Sequence, residues 1–293
     1  GLDAFAQARE VLDNHVAGTH ALLDQVEPGD LDLVLWPENG TDIDPRADSR
    51  AAADITAAAR AVDAPVLVGT VHYPESGGRL NTALLWDPQD GAGVSYAKQH
   101  PAPFAEDVPM RDLARKFSAA VDRVRTDMLP GTQVGLLEVD VPRLDRTVGV
   151  GVAICFEVAY DDLVRDSVQA GAQVLVIPTN NATFGRTDES LQQLAMTRLR
   201  AIEHGRTTIQ VSTVGVSGVV TPHGVLRQST ELFTADQMVT TVGLRSTLTP
   251  ATRYGDVYAW AVRVLAVVVV VAGMAGAVRV RQADRITPED LDA

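Results

Sequence analysis

Residues Val257 to Val278 read VYAWAVRVLAVVVVVAGMAGAV, about 22 positions with Arg263 as the one charge. As a helix rising 1.5 Å per residue, such a segment matches a hydrocarbon core of roughly 30 Å. Tyr258 and Trp260 stand where interfacial aromatics are expected, and Arg263 lies close enough to that end to snorkel. Arg279, Arg281 and Arg285 follow the other end. Arginines gather on the cytoplasmic side of a span. The pattern therefore predicts a transmembrane helix over 257–278 and a cytoplasmic tail over 279–293. The domain of residues 1–250 is then extracytoplasmic at the cell (plasma or inner) membrane. The competing reading is a buried helix or strand of a soluble core, which the β-favouring valines support.

The rest of the 293-residue chain is long enough for a sizeable core. A net charge of −13 with pI near 4.8 repels phosphate backbones, and no basic cluster offsets it, so nucleic acid is not an expected partner. One cysteine rules out an internal disulfide and a cysteine-based zinc site. The six histidines show no ligand spacing, so neither metal nor cofactor is expected. The chain opens at Gly1 on a helical pattern with no signal peptide, and it reads as a fragment.

Apolar residues from Phe5 to Val26 recur at helical spacing, and the alanine-rich 47–62 also reads as helix. Leu31–Trp36, Pro65–Val71, Thr82–Trp86 and Val94–Ala97 read as strands broken by PESGG and DPQDGAG. Residues 100–133 form an aperiodic, partly apolar excursion with Met110, Phe117, Met128 and Leu129. Beyond it, strands are predicted at Thr147–Ile154, Val174–Pro178, Thr208–Ser212, Gly218–Thr221 and Met238–Val242. Helices are predicted at Asp161–Ala170 and Glu189–His204, the latter with Leu191, Leu194, Leu199 and Ile202 on one face. Such alternation points to a layered α/β domain.

Glu38, Lys98 and Cys155 each follow a predicted strand, where reactive groups in α/β sheets tend to gather. Together they make a coherent set. A carboxylate takes the thiol proton, and an ammonium stabilises thiolate and oxyanion, which suits acyl transfer through a thioester. Each also has a plain structural reading: a buried small hydrophobe for Cys155, a turn carboxylate for Glu38, a solvated strand-end charge for Lys98.

The surrounding strings resemble the nitrilase (carbon–nitrogen hydrolase) superfamily and, within it, the apolipoprotein N-acyltransferases. WPENG resembles the glutamate motif, YAKQHPAPFAEDVPMR the lysine motif and ICFEVAYDDLVR the cysteine motif. PTNNATFG, MTRLRAIEHGR and TPATRYGD resemble further family segments. Phe156 departs from a common tyrosine and Thr183 from a common aromatic. The resemblance implies a nitrilase-like α-β-β-α sandwich followed by one C-terminal span, without the family's N-terminal membrane bundle or the domain's first strand.

It also implies a reaction. Cys155 takes a fatty acyl chain from a phospholipid, and the amine of a diacylglyceryl-cysteine apolipoprotein receives it. Glu38 is base and acid, and Lys98 stabilises the oxyanion. Glu106 orients Lys98 or assists proton transfer. Glu157 either braces the nucleophile's turn or is a peripheral ion-pair partner. Phe156, Asn181, Met110 and Phe117 are expected on the substrate side, the excursion dipping into the outer leaflet or packing as core. Two rivals are an amidase or nitrilase acting on a small amide with the same triad, and an inactive membrane-tethered scaffold.

Overall fold

Alternating burial along the strands decides how this chain layers, since successive side chains point to opposite faces of a sheet. The structure, a computed structural model, describes residues 2–102, 106, 115 and 127–283. It divides into two units, Gly1–Thr249 and Pro250–Ala293.

In the first unit, α1 (Leu2–Ala21) leads to a short strand β1 (Val34–Leu35) and then to α2 (Ser49–Val62). Helix α2 starts where the Asp48 carboxylate accepts from the Ala51 amide at 2.8 Å. It ends at Asp63 in the left-handed conformation, φ 50°, shortly before Pro65. Strands β2 (Val66–His72), β3 (Leu80–Asp87) and β4 (Gly91–Ala97) complete a four-stranded sheet in the order β1-β2-β3-β4. β1 runs parallel to β2, and the other pairs are antiparallel.

The second sheet holds β5 (Leu136–Val141), β6 (Arg146–Val152), β7 (Val174–Thr179), β8 (Thr208–Ser212), β9 (Gly218–Val220) and β10 (Leu226–Ser229). Its order is β10-β9-β8-β7-β6-β5, with β6, β7 and β8 parallel. Helices α3 (Asp161–Gln169) and α4 (Glu189–His204) belong to this half.

Three apolar clusters fix the layers. Ile55 and Val62 of α2 and Leu12 of α1 pack on Val66, Val68, Leu84 and Trp86. The opposite face of the same strands, Leu67 and Ala83 with Tyr96, packs on Val139, Val148, Val150 and Val176 of the second sheet. Leu163, Val164 and Val168 of α3 cover Leu175 and Ile177 on that sheet's far side. The result is the α-β-β-α sandwich implied by the resemblance, and the central seam lies between the two sheets.

The structure corrects several expected elements. Leu31–Trp36 forms only a two-residue strand, although Trp36 N–H still donates to Leu67 O at 2.9 Å. Met238–Val242 is not a strand; the segment lies as an extended strap whose Val239 and Val242 pack against the core while no ladder forms. β5 and β10 were not predicted: LLEVDV alternates cleanly but sits beside the aperiodic excursion, and LRQS is mostly polar.

Helix α4 inverts its expected orientation. Leu194 is buried, but Leu191, Leu199 and Ile202 are exposed. The buried face is instead mostly polar, with Ser190, Gln193, Thr197, Arg200 and His204. Its inward groups are bonded: Thr197 Oγ1 donates to Gln210 Oε1 at 2.7 Å, and Arg200 donates to Val158 O and Ala159 O at 2.9 and 3.0 Å.

The second unit is α5 (Pro250–Ala283), with proline at its first position, where a missing N–H costs nothing. Within it Pro250–Ala277 holds an 18-residue window of mean hydropathy 2.2 with none of that window buried, making it a candidate membrane span. The valine run is therefore helical and exposed, contrary to the buried-core alternative.

Gly69 is the tightest close approach behind the site. A Cβ there would lie 2.0 Å from Pro37 O and 2.8 Å from Glu38 Cα, and both are backbone atoms that cannot rotate away. We expect Gly69→Ala to destabilise the first unit by about 3 kcal/mol, the upper range for overpacking, read as a lowered midpoint in urea unfolding. An unchanged midpoint would contradict this packing.

Candidate active site

The parallel alignment of β1 with β2, and of β4 with both, brings the carboxyl ends of β1 and β4 to one side of the first sheet. Glu38 follows β1 and Lys98 follows β4. Both are buried, with side chains 3% and 2% exposed, and Lys98 Nζ lies 3.0 Å from Glu38 Oε1. Glu106 completes the ion cluster, its Oε2 2.8 Å from Lys98 Nζ. Glu106 is itself tied down by the Ala102 amide, which donates to Oε2 at 2.7 Å.

Such a cluster would be costly if any member were unpaired, because charge is expensive to desolvate. Burial pushes the Lys98 ammonium toward neutrality. The charges of Glu38 and Glu106 outweigh it and hold the amine protonated. Burial likewise works to raise the Glu106 acid, but Lys98 and the donors around it keep it below the usual carboxylate range.

Cys155 follows β6 and opens a 3-10 turn, Cys155–Ala159, with φ 55°. A non-glycine residue in the left-handed region is uncommon and clusters at functional sites. Burial pushes the thiol up to about 12, and the Glu38 charge adds to this. Lys98 and hydrogen bonds from Thr179 and Asn180 pull the other way without reversing it. The resting sulfur is thus a thiol, with the buried Glu38 carboxylate near enough to act on it electrostatically.

Sequence reasoning did not single out four residues that build this place. Asn81 Nδ2 donates to Glu38 Oε1 at 2.6 Å and to Glu106 Oε1 at 3.2 Å. The Asn180 amide donates to Glu38 Oε2 at 2.8 Å. Thr179 touches the sulfur. Tyr96 holds Glu157. Tyr96 lies in the string YAKQHPAPFAEDVPMR and Thr179 and Asn180 in PTNNATFG, while Asn81 stands alone at the head of an apolar strand.

Glu157 has no exposure. Tyr96 donates to both its oxygens at 2.9 Å. Gln99 N–H and His100 N–H donate to Oε1 at 2.6 and 3.1 Å, and Ile154 N–H to Oε2 at 2.7 Å. It therefore ties the segment after Lys98 to the turn carrying Cys155, and it is not a peripheral ion-pair partner. Burial pushes its carboxyl above the usual carboxylate range despite these donors.

Of the residues expected on the substrate side, Phe156 is 40% exposed and meets Tyr160 edge-on, while Tyr160 stacks on His100 at 4.2 Å. Asn181 is buried, with its amide engaged by Gln193 at 2.8 Å and Ser212 at 2.9 Å. Its neighbour Asn180 is the one that reaches Glu38. Met110 and Phe117 lie outside the described residues. Of their companions in the excursion, Met128 is buried and Leu129 is 38% exposed. Among the described residues, no group of three or more His, Cys, Asp or Glu is arranged to hold a metal.

Residues 8–248 match the family described as carbon-nitrogen hydrolase. The chain belongs to the carbon–nitrogen hydrolase family. This family member is 40% identical over 283 residues to the apolipoprotein N-acyltransferase of Mycolicibacterium smegmatis, covering 94% of the chain and 45% of that relative. It is 32% identical over 236 residues to the apolipoprotein N-acyltransferase of Geobacter metallireducens, covering 80% and 44%. The chain spans about half the length of the curated relatives it matches. A solved mutant of the Nesterenkonia AN1 amidase, from the nitrilase superfamily, aligns with TM-score 0.58 at 19% identity, covering 81% of this chain and 83% of that one. Saccharomyces cerevisiae Nit3 aligns at 0.58 and 16%, covering 77% and 81%. At these identities the likeness is one of fold.

Alkylation of the sole cysteine reads the electrostatics of the carbon–nitrogen hydrolase site directly, because only thiolate reacts. Glu38→Gln removes a like charge, so the alkylation-rate profile should move to lower pH. Lys98→Met removes the opposing charge, so it should move to higher pH. Identical profiles for the three proteins would separate Cys155 from the ion pair. In a second test, Glu157→Ala strips the acceptor from three backbone amides and should cost about 3 kcal/mol or more in chemical unfolding.

Proposed function

We propose that this chain is the catalytic part of an N-acyltransferase that moves a fatty acyl chain from phospholipid to the N-terminal amine of a diacylglyceryl-cysteine apolipoprotein. The observation carrying this reading is the 40% identity to an apolipoprotein N-acyltransferase along 94% of the chain, which spans Glu38, Lys98 and Cys155.

The chemistry follows from the site. Cys155 Sγ attacks the ester carbonyl of the phospholipid while Glu38 takes the thiol proton. The tetrahedral oxyanion is stabilised by the Lys98 ammonium, which is preorganised and cannot easily lose its proton. Collapse breaks the carbon–oxygen bond, Glu38 returns the proton to the leaving lysophospholipid, and an acyl thioester remains on Cys155. The acceptor amine then attacks the thioester carbonyl and gives a proton to Glu38. The amide forms, and the departing sulfur recovers that proton. Glu106 supports Lys98 throughout, and Glu157 holds the nucleophile's turn.

In this reading residues 1–250 form the catalytic domain outside the cytoplasm, 257–278 the membrane span and 279–293 a cytoplasmic tail. Both substrates are lipids or lipid-anchored, so a membrane helix on the enzyme keeps the reaction in the plane where they lie. Phe156, exposed beside the nucleophile, suits contact with an acyl chain.

The test is intact mass of the gene product, reconstituted in phospholipid vesicles, followed by addition of a diacylglyceryl-cysteine lipopeptide. Wild type should gain one acyl chain and then transfer it to the lipopeptide, and Cys155→Ala should gain none. Turnover of a small amide in the absence of lipid, with no acyl adduct from phospholipid, would replace this reading with that of an amidase.

A further inference from the structure

Alternation along β3 places Asn81 on the same face as Ala83, toward the seam between the sheets, where an amide is out of keeping with its neighbours. It is 2% exposed. Its Nδ2 carries two protons and meets two carboxylates, Glu38 Oε1 at 2.6 Å and Glu106 Oε1 at 3.2 Å. Those same two carboxylates flank the single ammonium of Lys98, at 3.0 and 2.8 Å. Two negative charges thus share one positive charge in a buried space, and the Asn81 amide lies between the negative pair as a neutral double donor. It is among the groups that keep Glu106 ionised.

The other end of the same side chain points to function over packing. Asn81 Oδ1 is buried and, among the described residues, has no hydrogen-bond partner. An unpaired buried acceptor is costly, and an apolar side chain of similar size would avoid that cost. The cost is explained if the Nδ2 end has a task no apolar residue can do. A flipped amide would aim Oδ1 at two carboxylates, so the orientation is fixed by the charges.

We infer that Asn81 is a positioning residue: its amide holds Glu38 and Glu106 as an ionised pair straddling Lys98, leaving Glu38 poised to take the Cys155 proton. The inference rests on the acyl-transfer reading for its reaction step. The charged and titratable groups around Glu38 are Lys98 from β4, Glu106 across the Asn81 amide, Cys155 from the turn after β6 and Asp42 on its own loop, with Arg79 facing Asp42. The Asn180 amide also donates to it.

Removing a donor from an ionised carboxylate disfavours the charged form. For Asn81→Leu in the vesicle-reconstituted enzyme, acyl-enzyme formation on Cys155 should slow by roughly 10- to 100-fold near neutral pH. The acid limb of its rate profile should move up by about one pH unit, with little change in melting temperature. The Cys155 alkylation profile should move to higher pH, since Glu38 stays ionised in that range and its charge, no longer shared with the amide, bears more fully on the sulfur. The isosteric Asn81→Asp should differ in sign: protonated, it still donates one hydrogen bond, but on ionising it adds a third carboxylate. Its rate should therefore fall as pH rises where wild type gains. Wild-type limbs in both variants would overturn the assignment. So would a lowered melting temperature with unmoved limbs, which is the mark of a purely structural residue. If wild type forms no acyl-enzyme yet Asn81→Leu still shifts the alkylation profile, the acyl-transfer reading falls and the positioning role stands. If neither responds, both fall.

Discussion

A protonated lysine buried between two carboxylates is the constraint on which the rest of this structure turns. Lys98 is 2% exposed, and desolvating an ammonium is so costly that the site is tenable only while Glu38 and Glu106 are held within about 3 Å of it. The three charges come from the loop after β1, the end of β4 and the stretch beyond it, and Glu38 is 60 residues from Lys98. The sandwich is what makes their meeting permanent. Val66, Val68 and Leu84 fasten the first sheet to its helices, and Leu67 and Ala83 fasten it to the second sheet. Any slippage of β4 against β3 by one residue would turn Lys98 to the opposite face and leave two carboxylates without a cation.

Cys155 is registered against this pair by a different device. Glu157 receives donors from Tyr96, Gln99 and His100 on the Lys98 side and from Ile154 on the Cys155 side. A single buried carboxylate therefore spans the seam between the sheets and sets the spacing of ammonium and sulfur. Charged hydrogen bonds of this kind are shorter and stronger than neutral ones, which suits a part whose job is to keep distance. The left-handed backbone at Cys155 is tolerable in the same light, because the turn is held on both sides of the strained residue.

Much of this was legible beforehand, and the reasons differ from residue to residue. Glu38, Lys98 and Cys155 could be found because each ends an apolar strand, and the motif resemblance fixed their order and the sandwich. Glu157 could be named but not given a role, since spacing does not say whether a carboxylate two residues past a cysteine points in or out. Asn81 and Asn180 were passed over because a single amide carries no periodic signal. The Met238–Val242 strap reads as a strand because its valines and threonines are β-branched, yet half-buried Val239 and Val242 pack against the core without forming a ladder. Helix α4 differs for the converse reason: Leu191, Leu199 and Ile202 face outward, and apart from Leu194 and Ala201 the inward face is polar.

That reversal in α4 sets how this helix will drift under mutation. In most helices the buried side accepts one aliphatic residue for another with modest loss, while the outer side is free. Here the inner positions are fitted by bond geometry: Gln193 meets Thr179 and Asn181, Thr197 meets Gln210, and Arg200 grips the carbonyls of the cysteine's own turn. Even a shape-preserving exchange there severs a directed bond and loosens the floor beneath the sulfur. The outer Leu191, Leu199 and Ile202 make no such bonds, so exchange there carries no comparable penalty and the exacting face of α4 is its polar one.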